Sequence, residues 1–420
     1  VHVLLAVSRY PWPPRRGDQR RTLQAVDALS GHHRVTVLLP APPPGSPAPP
    51  PDWPATAVTY RRPGPLGIAG GLLRAVLRGH PLQTGLFAAR GLAEALARHG
   101  PEADLAILQL ARLAPHLDEL AGTPTVVDLI DSLALSTGRR ARFDRPWWAP
   151  WLRLEARRLG RAEALLAARG VRTLVVSARD REAIARRLPP EQAERLVVVP
   201  VAVGAGGPSG SGPVAAESPP GPSASSGPPV LAVTGNLGYF PTREGVDWFL
   251  RGVWPRLEEA RSNVRLVLAG SRPPRGLRRL AAKAGAEVLL DPPDLQVVLS
   301  GAALALAPMR CGAGQPLKVM EAWAAGVPVI ATPWAAAGTS GRPGEDLVVA
   351  DGAGPWVEEI LALLDAPERR RRIAASARSR LAADYGLEVV RSAWLEVVEA
   401  AAAASAGSDG SGISSQRARE

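Results

Sequence analysis

Short unbroken apolar runs recur along this chain, bounded by Gly, Pro or charged positions, with helix-period stretches between them. In the first half the runs Val1–Ser8, Arg34–Leu39, Ala57–Arg61, Leu105–Gln109, Thr125–Asp131, Thr173–Ser177 and Leu196–Val203 read as strands, and a first helix is predicted over about Gln19–Ser30. Unbroken apolar strands separated by helices indicate a parallel sheet covered on both faces. Ala41–Pro54 is a Pro-rich loop with no core-forming pattern.

The pattern breaks at Gly204–Pro229 (GAGGPSGSGPVAAESPPGPSASSGPP), whose Gly, Pro and Ser predict a flexible linker. Strand runs then restart at Val230–Thr234, Val264–Ala269, Glu287–Leu290, Ala303–Ala307, Val327–Thr332 and Leu347–Ala350. Helical stretches over about Gly354–Ala404 follow, and then a polar tail, Ser405–Glu420, expected to be disordered. The expected organisation is a Rossmann-like domain over 1–203, a linker over 204–229, a second Rossmann-like domain over 230–404 and a tail over 405–420. The fold class is α/β, with two doubly wound parallel sheets. Such sheets bind ligands outside the carboxyl ends of their strands, and two facing each other predict an interdomain cleft.

Composition alters this picture little. Hydrophobic residues are 46% and charged residues 21%, ordinary usage that supports large cores. The net charge of +11 raises the question of nucleic acid. However, Lys283 and Lys318 are the only lysines, and the arginine excess accompanies 43 Pro and 42 Gly, a skew that reads as codon bias. With no recognition-module motif, no nucleic-acid partner is expected. Cys311 is the single cysteine, which fits a reducing, cytoplasmic compartment. No apolar run reaches the length of about 18 residues that a membrane span needs. Val1–Val7 is too short for a signal peptide, and no cationic segment precedes it.

The chemistry concentrates in Ala307–Thr332, APMRCGAGQPLKVMEAWAAGVPVIAT. A strand ends near Pro308, a Gly-containing loop covers Cys311–Gln315, and a helix is expected to start at Pro316, which suits the first helical position. A glycine loop feeding a helix N-terminus is a natural phosphate site, because backbone N–H groups approach closely and the helix dipole favours an anion. Lys318 falls in the first turn, and Glu321 stands one turn deeper on the same face. The bland alternative is a surface ion pair between the two.

This segment resembles the donor-nucleotide site of the GT4 family of retaining glycosyltransferases, G-x-G-x-x-x-K-x-x-E-A-x-A-x-G-x-P-V-[IV]-[AS]-T. Gly312, Gly314, Lys318, Glu321, Ala322, Ala324, Gly326, Pro328, Val329, Ile330, Ala331 and Thr332 match it. Val233–Phe240 (VTGNLGYF) resembles the opening of that family's second domain, and Arg9–Thr22 (RYPWPPRRGDQRRT) the first loop of members found in exopolysaccharide systems. The resemblance implies a GT-B fold, a nucleotide-diphosphate sugar donor and a glycan or lipid-linked acceptor; because the chain has no D-x-D, no cofactor or metal is expected to be required. It implies that Lys318 acts on the leaving diphosphate, that Glu321 holds the ribose, and that Gly235, Asn236, Arg243, Gly312, Gly314, Gln315, Pro316 and Leu317 bind the donor. Gly17 and Asp18 fall in the acceptor and phosphate loop. Many members carry a further Glu where this chain has Ala313.

Asp128 and Asp131 (VVDLIDS) end a strand at the predicted cleft, and Asp131 is the candidate for contact with the reacting sugar or acceptor; Asp18 and Asp131 also suit caps or turns. The histidines form no constellation, no D-x-D occurs, and no G-x-G-x-x-G follows the first strand. Trp147, Trp148 and Trp151 stand among arginines. The favoured reading packs these rings on the core, and the alternative rests them on an anionic membrane at the inner face of the cell. The overall reading is a metal-independent hexosyltransferase of exopolysaccharide or cell-envelope glycan synthesis. A nucleotide-sugar epimerase and a non-catalytic scaffold are the alternatives.

Overall fold

The computed structural model describes residues 1–14, 16–204 and 227–414. The chain divides into two compact units: Val1–Val201 with the chain from Glu388 onward, and Ala202–Leu387. The expected linker, Gly204–Pro229, lies outside the described residues apart from its two ends.

The first unit holds seven strands: β1 (His2–Ala6), β2 (Arg34–Pro40), β3 (Thr56–Tyr60), β4 (Leu105–Gln109), β5 (Thr125–Ile130), β6 (Arg172–Val175) and β7 (Leu196–Val198). The second holds β8 (Val230–Asn236), β9 (Arg265–Ser271), β10 (Glu287–Leu290), β11 (Leu304–Ala307), β12 (Val329–Ala331) and β13 (Val348–Val349). Strand order is β3-β2-β1-β4-β5-β6-β7 in one sheet and β10-β9-β8-β11-β12-β13 in the other. Every ladder between these strands is parallel. The central strands are almost wholly apolar because helices cover both faces: β1 (HVLLA) and β4 (LAILQ) are buried at every position, with His2 and Gln109 their only polar residues.

Each sheet reverses its strand order beside its first strand, at β1/β4 in the first unit and β8/β11 in the second. A crevice opens at such a point, because the two flanking connections leave on opposite faces. Backbone strain gathers at the same edges. The four non-glycine residues with positive φ among the described residues, Leu110, Ile130, Arg272 and Asp291, each end or directly follow a strand. At Ile130 the β5/β6 register also shifts, re-aiming the chain before Asp131.

The last helix, Leu387–Ser414, differs from expectation in two ways. It runs past Ala404, where the alanine run Ala400–Ala404 carries helical propensity onward, while residues 415–420 lie outside the described set. It also belongs to the first unit, where the sequence reading gave residues up to 404 to the second domain. The reason is local. Fully buried Trp394 covers the Arg21 guanidinium, 4.8 Å from ring centroid to Cζ, and Arg391 pairs with Asp27 at 2.9 Å.

Arg21 corrects another expectation. Its Nε donates to the Asp128 carboxylate at 2.7 Å with both side chains fully buried, and its Nη1 donates to the Val199 carbonyl at 2.6 Å. Asp128 is therefore a structural counter-charge within the first unit, not a group at the strand-end crevice.

Candidate functional site

In the second unit the site grows from the ends of β8 and β11. Gly235 has φ +112°, and a β-carbon on Gly270 of the neighbouring strand would stand 1.7 Å from the Gly235 carbonyl oxygen. Only glycine fits at both positions. Asn236 then turns the chain: its Oδ1 accepts from the Gly238 and Tyr239 N–H groups at 3.0 and 3.1 Å. That turn launches the Phe240–Trp248 helix, whose first turn buries Thr242.

The loop after β11 is pinned against this turn. A β-carbon on Gly312 (φ +107°) would stand 3.2 Å from the Pro241 ring. Trp334 Nε1 donates to the Gly312 carbonyl at 3.0 Å. The Thr332 hydroxyl donates to the Met309 carbonyl and accepts from Ala335 N–H at 3.1 Å. Gly314 (φ +74°) completes the loop, and the Leu317–Ala324 helix follows. Pro316 is its N-cap rather than its first helical residue. The helix closes at Gly326 (φ +71°), with Gly326 N–H donating to Trp323 and Val327 N–H to Ala322, the Schellman arrangement. So Gly326 and Thr332 serve the frame, while Gly312, Gly314, Lys318 and Glu321 remain for the site.

Lys318 is half-buried and donates from Nζ to Thr242 Oγ1 at 3.0 Å; the same nitrogen lies 3.8 Å from where a β-carbon on Gly235 would stand. The switch-point crevice of the second sheet thus contains an ammonium group among glycine backbone. Burial pushes the Lys318 amine down to about 8, and the Glu321 carboxylate pulls against that shift. Lys318 thus hydrogen-bonds to Thr242 while it still feels the Glu321 charge. Arg243 stacks over Phe240 at 5.3 Å. Arg310, which sequence reasoning passed over, is paired with Glu244 and lies 5.1 Å over Trp248. Thr242 and Trp334 were also missed; no charge or motif position marks them.

In the first unit the loops after β1, β4 and β5 bring titratable groups to the equivalent edge. Asp18 pairs with Arg9 and lies in the first turn of the Gly17–Ser30 helix. Its expected capping role falls instead to Arg16, whose N–H donates to Gln19 Oε1 at 3.0 Å. Asp131 is pushed up to about 7, first by burial and then by Asp180, with Arg112 opposing the shift. Its neighbour Ser132 is fixed by carboxylates: Ser132 N–H donates to Asp180 at 3.0 Å and its hydroxyl to Glu163 at 2.9 Å. Arg112, pushed down to about 10 by burial, stacks 4.7 Å over Phe87, and its Nε has no hydrogen-bond partner among the described residues. Sequence reasoning missed Arg112, Glu163 and Asp180. The three tryptophans reverse expectation: Trp147, Trp148 and Trp151 are exposed, because the Ala149–Arg169 helix turns Leu152, Leu159 and Leu166 inward instead.

Among the described residues no helix is long and apolar enough to cross a membrane, and no group of three or more His, Cys, Asp or Glu is placed to hold a metal ion.

Residues 228–366 match the family model described as glycosyl transferases group 1. No curated protein sequence matches the chain. Among solved structures, the Anabaena protein HepE in complex with UDP is similar over 95% of this chain and 99% of its own, at 13% identity and TM-score 0.65. Sucrose-phosphate synthase from Thermosynechococcus elongatus is similar over 96% and 99%, at 17% identity and TM-score 0.70. WaaG, a glycosyltransferase involved in lipopolysaccharide biosynthesis, is similar over 94% and 99%, at 14% identity and TM-score 0.62. The chain therefore has the two-domain GT-B fold, and residues 228–366 within it are similar to the glycosyl transferases group 1 model.

Proposed function

We propose that this protein is a retaining, GT4-type hexosyltransferase that moves a sugar from a nucleotide-diphosphate donor to a glycan or lipid-linked acceptor in exopolysaccharide or other cell-envelope glycan synthesis. The observation that carries the reading is Lys318 at the switch point of the second sheet, hydrogen-bonded to Thr242 beside Gly235. A diphosphate leaving group gains negative charge as the glycosidic bond breaks. A fixed ammonium and the positive end of the Leu317–Ala324 helix stabilise that charge without reorganising. Glu321 accepts the ribose hydroxyls, with Gly312, Gly314, Gln315, Pro316, Leu317, Gly235 and Asn236 shaping the donor pocket. Arg243 stands on the adjacent helix, and its stacking on Phe240 makes it a wall of the pocket.

The acceptor belongs to the first unit, with Gly17, Asp18 and Asp131 as its contacts. Lys318 and the backbone dipoles of the donor loop supply the charge stabilisation that a divalent metal gives elsewhere, so the reaction proceeds without one. HepE was solved in complex with UDP and with UDP-glucose, which makes uridine donors the first to test. We place the protein in the cytoplasm, at the inner membrane face.

The test is a thermal-shift screen with UDP, GDP, ADP and their sugars, in buffer with and without excess EDTA. One nucleotide series should raise the melting temperature with ligand concentration, and transfer of the matching sugar should be unchanged by EDTA. Failure of every nucleotide to bind would refute the reading. Tight binding without any turnover would instead favour a non-catalytic scaffold, which the Ala313 position makes the second reading.

A further inference from the structure

A cation without a partner stands at the carboxyl edge of the first sheet. After β4, Leu110 has φ +77° and donates its N–H to the Asp128 carbonyl at 2.7 Å, which turns the chain into the short Ala111–His116 helix. Ala111 and Leu113 are fully buried, and Arg112 between them is half-buried. The Phe87 ring, 4.7 Å from Cζ, fixes the plane of its guanidinium. Its Nε is buried with no hydrogen-bond partner, and the side chain makes no ion pair among the described residues. The charges that act on it are Arg9, Arg16, Asp18 and Asp131. Asp18 is taken by Arg9, and Asp131, raised to about 7, offers less than a full countercharge. A half-buried cation kept unpaired at the ligand-binding edge of an α/β sheet is a site for an incoming anion.

More unpaired arginines stand on the other side of Phe87. A hollow of about 930 Å³ opens between the turn after β3, the Pro65–Leu77 helix and the start of the Arg90–His99 helix. Gly85 and Ala88, on either side of Phe87, line it. So do Arg61 and Arg62, directly after β3, and Arg74 and Arg78; none of these four makes an ion pair or side-chain hydrogen bond among the described residues. The carboxylates of its wall, Glu94 and Glu119, are matched by Arg90 at 3.9 Å and His116 at 3.7 Å. Positive groups on both sides of one ring suit a ligand with several anionic groups spaced along a chain, rather than a single ion.

We propose that the acceptor is acidic: Arg112 takes a carboxylate or phosphate of the unit being glycosylated, beside Asp131, and the arginines of the hollow take the charges that follow along the chain. A planar guanidinium holds either oxyanion through two parallel N–H donors. The inference rests on the transferase reading in calling this ligand the acceptor. Its binding is measured without donor, so it and nucleotide binding can fail separately.

The probe is tetragalacturonate, with its methyl ester as a neutral match, titrated into the full chain by calorimetry. The acid should bind, more weakly as salt rises, and the ester at least about tenfold more weakly than the acid. Arg112→Gln should weaken the acid about tenfold or more, through loss of charge-assisted hydrogen bonds. Arg112→Lys, which keeps the charge without the fork, should retain part of the binding. Arg74→Gln with Arg78→Gln, at two exposed positions that leave folding intact, should weaken it several-fold and carries the test if Arg112→Gln does not fold. Inorganic pyrophosphate, titrated into the Lys318→Ala chain to silence the donor site, separates the sources of charge. Arg112-dependent binding of pyrophosphate but not of the galacturonate would make the acceptor's anion a phosphate. Three results would overturn the proposal: equal binding of acid and ester; binding of the acid that Arg112→Gln leaves within about twofold; or no Arg112-dependent binding of either anion.

Discussion

At its switch point the second unit sets one ammonium group, Lys318, among glycines with positive φ and a pinned loop; at the corresponding point the first unit gathers Arg9, Asp18, Arg112 and Asp131. The folds are alike and the chemistry is not. The second arrangement is mostly backbone, so its shape is fixed before a ligand arrives, as binding a diphosphate requires. The first is a cluster of opposed side chains in which burial raises one carboxyl, Asp131, to about 7, so its charge follows pH. The difference suits a fixed donor site and a tunable acceptor site on one chain.

The comparison can be broken first where the first unit uses charge for structure. Asp128→Ala strands the Arg21 guanidinium without its buried partner and should cost about 3–5 kcal/mol in urea unfolding. A loss below about 1 kcal/mol would show that the pair is not holding the unit.

A smaller effect separates Asp131 from that frame. Its folded pKa lies above the unfolded carboxylate value, so its ionisation opposes folding. The penalty is absent below about pH 4, grows as pH rises, and is complete above about 7. Asp131→Asn should therefore stabilise the protein by on the order of 2 kcal/mol at pH 8 and by much less at pH 4. Equal effects at both pH values would remove Asp131 from the titrating cluster.

The smallest effect sharpens the donor side. Glu321→Gln keeps size but exchanges an ionised acceptor for a weaker one, worth about 1–1.5 kcal/mol. The donor KM should rise several-fold to about tenfold, with kcat nearly unchanged. A loss of kcat at constant KM would give Glu321 a different role.

Why one site was legible and the other only in part follows from how each is encoded. The donor loop is contiguous from Met309 to Thr332, so glycines, lysine and helix start appear at fixed spacing. Strands were legible for the same local reason, as unbroken apolar runs. The first unit's cluster is assembled from residues as far apart as Asp18 and Asp180, and nothing local marks Arg112 or Glu163 as members. Asp128 and Asp131 look equivalent in VVDLIDS. The register shift at Ile130 and the buried Arg21 decide that one is frame and the other edge. The return of the last helix to the first unit rests on Trp394 meeting Arg21, a contact between the two ends of the chain. The exposed tryptophans misled because a Trp-bearing helix usually packs its rings inward, and here leucines occupy that face.

Everything said of the donor site turns on Lys318. With the donor identified by its thermal shift, the decisive measurement is kcat of Lys318→Ala against the native chain, with unligated melting temperatures compared alongside. Loss of a cation acting on the departing diphosphate should lower kcat by roughly 10²–10³. The unligated melting temperature should not fall, because a half-buried ammonium whose pKa is depressed to about 8 contributes no stability while charged. In the native chain kcat/KM should decline above about pH 8 as that amine loses its proton. A Lys318→Ala protein that turns over donor within about twofold of the native rate would contradict the account.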